Sequence, residues 1–197
     1  INNQNLESIP DYMKKDDVFV VYTPAIPDEN IFLKYFRANG NSKIYKRSEI
    51  LGEISKQSKC IAIAGTHGKT TTTAIISHLF HSSGIKFKAF IGGIMKCFDS
   101  NFINTGNDYI IVEADEYDRS FLSLNPNYAV ITSIESDHLD IYGDFKSLIE
   151  SFQSFTNNVK DVLITDADID IDKDFSFSIK SDSDYYVNNI KILENGI

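Results

Sequence analysis

The chain has 197 residues, 42% of them hydrophobic and 24% charged, which is typical of a globular protein with a core and not of a disordered one. Its formal net charge of -9 argues against a broad basic face for nucleic acid or an anionic membrane. No apolar run reaches membrane-spanning length, no signal peptide heads the chain, and Cys60 and Cys97 lack a metal or disulfide spacing, so we predict a cytoplasmic location.

The first part of the chain alternates between strand and helix patterns. Residues 17–22 form a β-branched and aromatic run that predicts a buried strand. A helix pattern follows from about Asp28 and ends at Gly40, and a short strand over 43–45 precedes a helix over 48–55. This alternation indicates an α/β fold with a parallel sheet.

A second unit begins near Lys59 with the same alternation. The pattern predicts a helix over 69–82 with Ala74, Ile75, Leu79 and Phe80 on its buried side, and a turn at Gly92-Gly93. The remaining predicted elements are strands over 60–64, 87–91, 109–112, 128–132 and 161–164, and a helix over 144–156. Cys60 lies inside the first of these strands and is predicted to be a small core residue.

An acidic stretch follows, with an aspartate at every second position from Asp166 to Asp174. A calcium loop of the EF-hand type would need Gly and Glu where Ile171 and Phe177 stand. The stretch is therefore interpreted as a solvated acidic edge or turn.

The strand over 60–64 runs directly into a glycine-containing loop that opens the next helix. In such a loop the backbone N–H groups and the positive end of the helix dipole point at a phosphate. Lys69 would bind the β and γ phosphates, and the Thr70 hydroxyl would bind Mg²⁺. The alternative is an ordinary strand-to-helix turn with a surface lysine. The predicted ATP-binding residues are Gly65, Thr66, His67, Gly68, Lys69, Thr70 and Thr71.

Acidic residues follow the strand over 109–112, at the sheet edge where ligands of open α/β sheets bind. Glu113 is nearest the strand end and is the candidate Mg²⁺ ligand. Asp115, Glu116 and Asp118 are interpreted as solvated loop acids. His138, between Asp137 and Asp140 beyond the next strand, is predicted to bind metal or relay a proton. Lys69, Glu113 and His138 are the predicted catalytic residues.

Three segments together resemble the central domain of the Mur ligases: Gly65 to Thr72, Glu113 to Leu122, and Asp137 to Asp140. The order and spacing of these motifs are most similar to those of the branch that joins L-alanine to UDP-N-acetylmuramate in peptidoglycan synthesis. Residues 20–27 also resemble the end of that family's N-terminal UDP-binding domain. One departure is Ser133, where the family usually has Asn.

The resemblance implies a P-loop NTPase-like central domain over 47–197 and the C-terminal part of a Rossmann-like domain over 1–46. It implies ATP and Mg²⁺ as cofactors, and UDP-N-acetylmuramate and L-alanine as substrates. Thr70 and Glu113 would hold one Mg²⁺, and His138 would help to hold a second near the reacting carboxylate. ATP would phosphorylate the muramate carboxylate, and the amine of L-alanine would attack the acyl phosphate. Since the chain starts at Ile1, we interpret it as part of a longer protein that carries the amino-acid-binding domain.

Two alternatives stay open. The murein tripeptide recycling ligase of the same family shares the phosphate loop and the Glu113 motif. A nucleotide-binding module without ligase activity would also keep the loop.

Overall fold

A computed structural model describes residues 9–14, 18–40, 42–136, 139–179, 183–187 and 190. The chain forms two compact units, Ile1–Ile54 and Ser55–Ile197. The family boundary predicted between residues 46 and 47 stays a prediction.

The first unit contains a β-α-β arrangement. Strand β1 (Phe19–Tyr22) pairs in parallel with β2 (Lys43–Lys46), and helix α1 (Ile31–Ala38) connects them, followed by α2 (Arg47–Ser55). Asn30 caps α1 because its side chain accepts the N–H groups of Phe32 and Leu33. The prediction that the first strand is buried was wrong, because β1 alternates between exposed and half-buried residues.

The second unit is built on an eight-stranded sheet in the order β10-β9-β8-β7-β3-β6-β4-β5. Neighbouring strands are parallel except at the β4–β5 pair, which confirms the predicted α/β class. The strands are β3 (Lys59–Ala64), β4 (Phe87–Met95), β5 (Ser100–Asn104), β6 (Tyr109–Glu113), β7 (Tyr128–Ile131), β8 (Val162–Asp166), β9 (Phe175–Ser178) and β10 (Tyr185–Tyr186). The helices are α3 (Lys69–Ser82), α4 (Leu139–Tyr142) and α5 (Phe145–Thr156), with 3-10 helices at Asp11–Met13 and Tyr117–Ser123.

The central strands are buried because helices cover them. Ala62 and Ile63 in β3 and Ile111 in β6 have no exposed surface, and neither has Cys60 in β3. Cys60 is therefore the core residue that the sequence predicted, and its burial raises the pKa of the thiol to about 12.

The buried side of α3 agrees with the prediction only in part. Ala74 and Phe80 are half-buried and pack against the core cluster that contains Phe87. Ile75 and Leu79 are 55% and 56% exposed, whereas the buried residues of the helix are Thr73 and Ser77. The Ser77 hydroxyl donates to the Thr73 carbonyl at 2.7 Å, so a short polar side chain is satisfied within the helix. Small side chains on this face allow α3 to lie close to the sheet.

The predicted turn at Gly92-Gly93 was also wrong, because both glycines lie inside β4. The pairing of β4 with β5 shifts register between Phe90 and Met95, which is the irregularity that glycines in a strand often mark.

The acidic stretch after β8 folds as a turn around a lysine. Lys173 Nζ donates to the carbonyl oxygens of Ile169 and Asp166 at 2.6 and 3.1 Å. In the part of the chain that the structure describes, no group of three or more His, Cys, Asp or Glu side chains is placed to hold a metal. Within the same ranges, no helix has the length and apolar character needed to cross a bilayer.

Candidate active site

The predicted phosphate loop joins β3 to α3 through two glycines with left-handed backbone. Gly65 has φ 124° and Gly68 has φ 83°, values that side chains disfavour. A Cβ at Gly65 would lie 2.2 Å from Thr132 Oγ1 and 2.9 Å from the Ser133 backbone. The loop therefore needs glycine here, since it packs directly against the residues that follow β7.

Lys69, the first residue of α3, turns its side chain back into the loop. Its Nζ donates to the carbonyl oxygens of Gly65 at 2.6 Å and Thr66 at 3.3 Å, and to Glu116 Oε1 at 2.8 Å. The Lys69 side chain is 18% exposed and that of Glu116 is 2% exposed. The cation is thus held at the N-terminus of a helix, where an anion also binds favourably.

The prediction that Glu116 is a solvated loop acid was wrong. Burial is the main cause that raises the pKa of its carboxyl group above the usual value, and the hydrogen bond from Lys69 opposes the shift. The carboxylate is buried because the loop after β6 folds back onto the phosphate loop. Sequence alone places Glu116 in an acidic run and gives no sign of this contact.

Glu113 ends β6 beside the glycine pair of β4. A Cβ at Gly92 would lie 2.5 Å from Glu113 Oε2, and one at Gly93 would lie 3.3 Å from Thr70 Cγ2. The same two residues of β4 therefore border both predicted Mg²⁺ ligands. Glu113 Oε1 is buried and makes no hydrogen bond to any described residue. A buried carboxylate oxygen without a hydrogen-bond partner fits the role of a metal ligand.

Ser133 holds the first half of the predicted phosphate loop through two hydrogen bonds. Its carbonyl oxygen accepts the Thr66 N–H at 2.9 Å, and its hydroxyl accepts the His67 N–H at 3.1 Å. The Thr66 hydroxyl in turn accepts the Glu135 N–H at 2.9 Å. The serine at this position thus supplies a hydroxyl that orders the loop backbone.

The His67 side chain is 66% exposed, and its Nε2 lies 3.7 Å from Glu135 Oε2. An ion pair this open to solvent adds little stability.

The segment after Glu113 is fixed by a second group of contacts. Tyr142 donates from its hydroxyl to the Glu116 carbonyl at 2.5 Å, and the Arg119 guanidinium lies 4.9 Å from the Tyr142 ring centroid. Burial raises the pKa of Tyr142 to about 12. Asp118 and Arg119 have φ 51° and 55°, a left-handed conformation that side chains rarely adopt and that surrounding contacts must hold.

An apolar pocket of about 550 Å³ lies beside the loop but does not carry its chemistry. It touches the loop at Thr70 and Thr71, and its walls include Ile75, Leu79 and Ile94. Apolar walls do not compensate phosphate charge, so the predicted phosphate site stays at the loop.

The structure brings Lys69, Thr70 and Glu113 to one edge of the sheet. His138 and Asp137 lie outside the described residues, and the side chain of Asp140 does too. The residues that sequence reasoning missed are Glu116, Gly92, Gly93 and Tyr142. The glycine pair carried a signal, because glycine inside a strand pattern often marks close approach of another group.

The model of the Mur ligase middle domain matches residues 63–192, which is most of the second unit. The chain belongs to the Mur ligase family.

Proteins with similar sequences are UDP-N-acetylmuramate–L-alanine ligases. That of Cytophaga hutchinsonii is 40% identical over 98% of this chain and 44% of its own length. That of Flavobacterium psychrophilum is 45% identical over 80% of this chain and 35% of its own length. The chain thus spans less than half the length of these relatives.

Solved structures with a similar fold are also Mur ligases. The UDP-N-acetylmuramate–alanine ligase of Thermotoga maritima has a TM-score of 0.73 and 28% identity, over 83% of this chain and 39% of that one. The Neisseria ligase for UDP-N-acetylmuramate and L-alanyl-γ-D-glutamyl-meso-diaminopimelate has a TM-score of 0.68 over 81% of this chain and 54% of that one. At 22% identity it supports the fold alone.

Proposed function

We propose that this chain is the ATP-binding part of a ligase that joins L-alanine to the carboxylate of UDP-N-acetylmuramate. The observation that carries the proposal is the Lys69 ammonium held inside a glycine loop at the start of α3 and paired with the buried carboxylate of Glu116. The names of the relatives at 40% and 45% identity support the choice of substrates. An ATP-consuming step of this kind fits a cytoplasmic location.

A free carboxylate is a poor acyl donor because its oxygen is a poor leaving group. The γ-phosphoryl group of ATP passes to a carboxylate oxygen of the muramate, and ADP leaves. The amine of L-alanine then attacks the carbonyl carbon, loses a proton, and expels inorganic phosphate as the amide forms. The loop residues 65–71 bind the ATP phosphates through backbone N–H groups, and Lys69 offsets charge on the phosphoryl oxygens.

Thr70 and Glu113 would hold one Mg²⁺ ion, and His138 would help to hold a second one near the reacting carboxylate. The buried Glu113 Oε1 without a hydrogen-bond partner among the described residues fits this role. When bound, Mg²⁺ neutralises phosphate charge and polarises the phosphoryl group. Lys69, Glu113 and His138 are accordingly the proposed catalytic residues.

Residues 1–46 are proposed as the end of the UDP-substrate domain, and 47–197 as the central ATP-binding domain. A further domain that binds the amino acid would lie in the full-length ligase.

The site assignment is tested by measuring ATP affinity of the chain by calorimetry in the presence of Mg²⁺. Lys69→Ala should lose binding, because the phosphates lose their only side-chain cation in the proposed set. Lys146→Ala, a change at an 85% exposed lysine of α5, is the matched control and should bind ATP normally. Unchanged affinity in Lys69→Ala would refute the phosphate-loop assignment.

The substrate assignment is tested with the full-length ligase. Phosphate release in the presence of UDP-N-acetylmuramate should depend on L-alanine. Release only with the murein tripeptide would indicate the recycling ligase. ATP binding without turnover of either amine would indicate a nucleotide-binding module.

A further inference from the structure

We propose that Glu116 is a positioning residue that holds the Lys69 ammonium at the phosphate loop throughout the reaction. This inference rests on the proposed function, since it concerns the lysine assigned to the ATP phosphates. It assigns a task to a carboxylate that is neither a predicted metal ligand nor part of the loop.

The first support is the number of acceptors around Lys69 Nζ. An ammonium group has three N–H donors, and three acceptors surround it: Gly65 O at 2.6 Å, Glu116 Oε1 at 2.8 Å and Thr66 O at 3.3 Å. A phosphate oxygen can therefore bind this ammonium only by replacing one of the three.

The acceptor that is easiest to replace is Thr66 O. Its hydrogen bond is the longest of the three and its oxygen carries no formal charge. Replacing Glu116 would separate two opposite charges in a site where the side chains are only 18% and 2% exposed. Separating a buried ion pair is far more costly than releasing one neutral carbonyl. Lys69 thus keeps Glu116 and Gly65 and exchanges Thr66 O for phosphate.

The second support is that Glu116 itself is fixed from the opposite side. Its carbonyl oxygen accepts the Tyr142 hydroxyl at 2.5 Å and the Arg119 N–H at 2.9 Å. Arg119 Nε also donates to Ser151 Oγ on α5 at 3.2 Å. The backbone of Glu116 is therefore tied to α4 and α5, and its carboxylate reaches Lys69 from a rigid base.

This arrangement predicts that loss of the Glu116 carboxylate affects the reaction rate and nucleotide binding differently. A tethered ammonium is aligned with the transferring phosphoryl group, so loss of the tether slows the reaction. The Glu116 carboxylate lies 2.8 Å from the ammonium that is assigned to the phosphates, so its negative charge opposes nucleotide binding. Its removal consequently does not weaken ATP binding.

The test compares Glu116→Gln and Glu116→Asp with the unmodified full-length ligase, by phosphate release and by melting temperature. In Glu116→Gln, kcat should fall about tenfold or more while KM for ATP stays equal or falls. Glu116→Asp restores the charge with a shorter reach and should recover part of kcat. Glu150→Gln, a change at a 60% exposed carboxylate of α5, is the control and should keep kcat, KM and melting temperature.

An unchanged kcat in Glu116→Gln would overturn the inference. So would a joint loss of kcat, ATP affinity and melting temperature, which is the signature of a structural role, or the absence of any recovery in Glu116→Asp. If Lys69→Ala leaves ATP binding unchanged, the proposed function and this inference fail together. If Lys69→Ala loses ATP while Glu116→Gln keeps its kcat, only the inference fails.

Discussion

Glu113 has one carboxylate oxygen that is buried without a hydrogen-bond partner among the described residues, and the other lies against Gly92. As the proposed Mg²⁺ ligand, it should be sensitive to loss of charge alone. Glu113→Gln keeps the size of the side chain but weakens Mg²⁺ binding, so the Mg²⁺ concentration for half-maximal phosphate release should rise roughly 10- to 100-fold.

The Glu113 prediction is measured by titrating Mg²⁺ at saturating ATP in the full-length ligase. Glu53→Gln, a change at an exposed carboxylate of α2, serves as the control and should keep the original Mg²⁺ dependence. An identical Mg²⁺ requirement in Glu113→Gln and the unmodified protein would contradict the metal role.

At the level of single residues, the sequence predicted the location of three residues whose roles stay predictions. Glu113 is the last residue of β6, and Lys69 and Thr70 begin α3 after the loop that follows β3. Parallel strands bring their carboxyl ends to one edge. Glu116 could not be predicted, because its burial depends on how a loop with two left-handed residues folds back. Its neighbours in sequence are acidic, and acidic runs are usually solvated.

Among the elements, β4 gives the sharpest test of how the site is built. In Gly92→Ala the new Cβ would lie 2.5 Å from Glu113 Oε2, the end of a movable side chain, so the carboxylate must shift. We expect lower ligase activity and a higher Mg²⁺ concentration for half-maximal activity, with little change in melting temperature.

Two further glycine variants serve as comparisons for Gly92→Ala. Gly93→Ala meets Thr70 Cγ2 at 3.3 Å, a milder contact, and should have a smaller effect. Gly40→Ala meets no atom within 4 Å and should match the unmodified protein. Full activity of Gly92→Ala would show that the Glu113 carboxylate need not approach β4.

Helix α5 predicts a pH dependence of stability. Asp144 caps it by accepting the Ser147 N–H at 2.7 Å, and this hydrogen bond lowers the pKa of the Asp144 carboxyl group below its usual value. A lowered folded-state pKa stabilises the fold above the unfolded-state pKa near 4, and this stability is lost as the pH falls through the folded-state pKa.

Melting temperature measured from pH 7 down to pH 2 would check the Asp144 contribution. Asp144→Asn keeps an acceptor without a titrating charge, so part of the acid-induced decrease should disappear. Asp144→Ala removes the cap and should melt a few degrees lower at neutral pH as well. An Asp144→Asn profile that parallels the unmodified protein below pH 4 would assign the acid sensitivity to other groups.

For helices and strands, the sequence predicted where each element lies better than it predicted which of its residues are buried. Helix α5 and strands β3, β6 and β7 lie where periodicity indicated. The buried face of α3 followed hydrophobicity only in part. Ala74 and Phe80 pack against the core as predicted, but Thr73 and Ser77 are buried while Ile75 and Leu79 are exposed. Close packing of a helix on a sheet favours small side chains at the contact. The pattern of apolar residues alone does not predict which positions need a small side chain.

For the whole molecule, strand order explains why distant segments form one site. β3 lies between β6 and β7 in the sheet, although about 45 residues separate β3 and β6 in sequence. The loop after β3 is therefore flanked by Glu113 on one side and by Thr132 and Ser133 on the other. Alternation of strands and helices predicted a parallel sheet, but the crossovers that set this order depend on long-range packing.

Binding at this shared edge should stabilise the whole second unit, because a ligand that binds only the folded state shifts the unfolding equilibrium. At ATP and Mg²⁺ concentrations about 100 times the dissociation constant, the free energy of unfolding should rise by about 2.7 kcal/mol. For a unit of this size, that corresponds to an increase in melting temperature of roughly 5–10 °C. Differential scanning calorimetry with a non-hydrolysable ATP analogue measures it. Lys69→Ala should show no increase and Lys146→Ala the full increase, whereas equal shifts in both would mean that the nucleotide binds away from the loop.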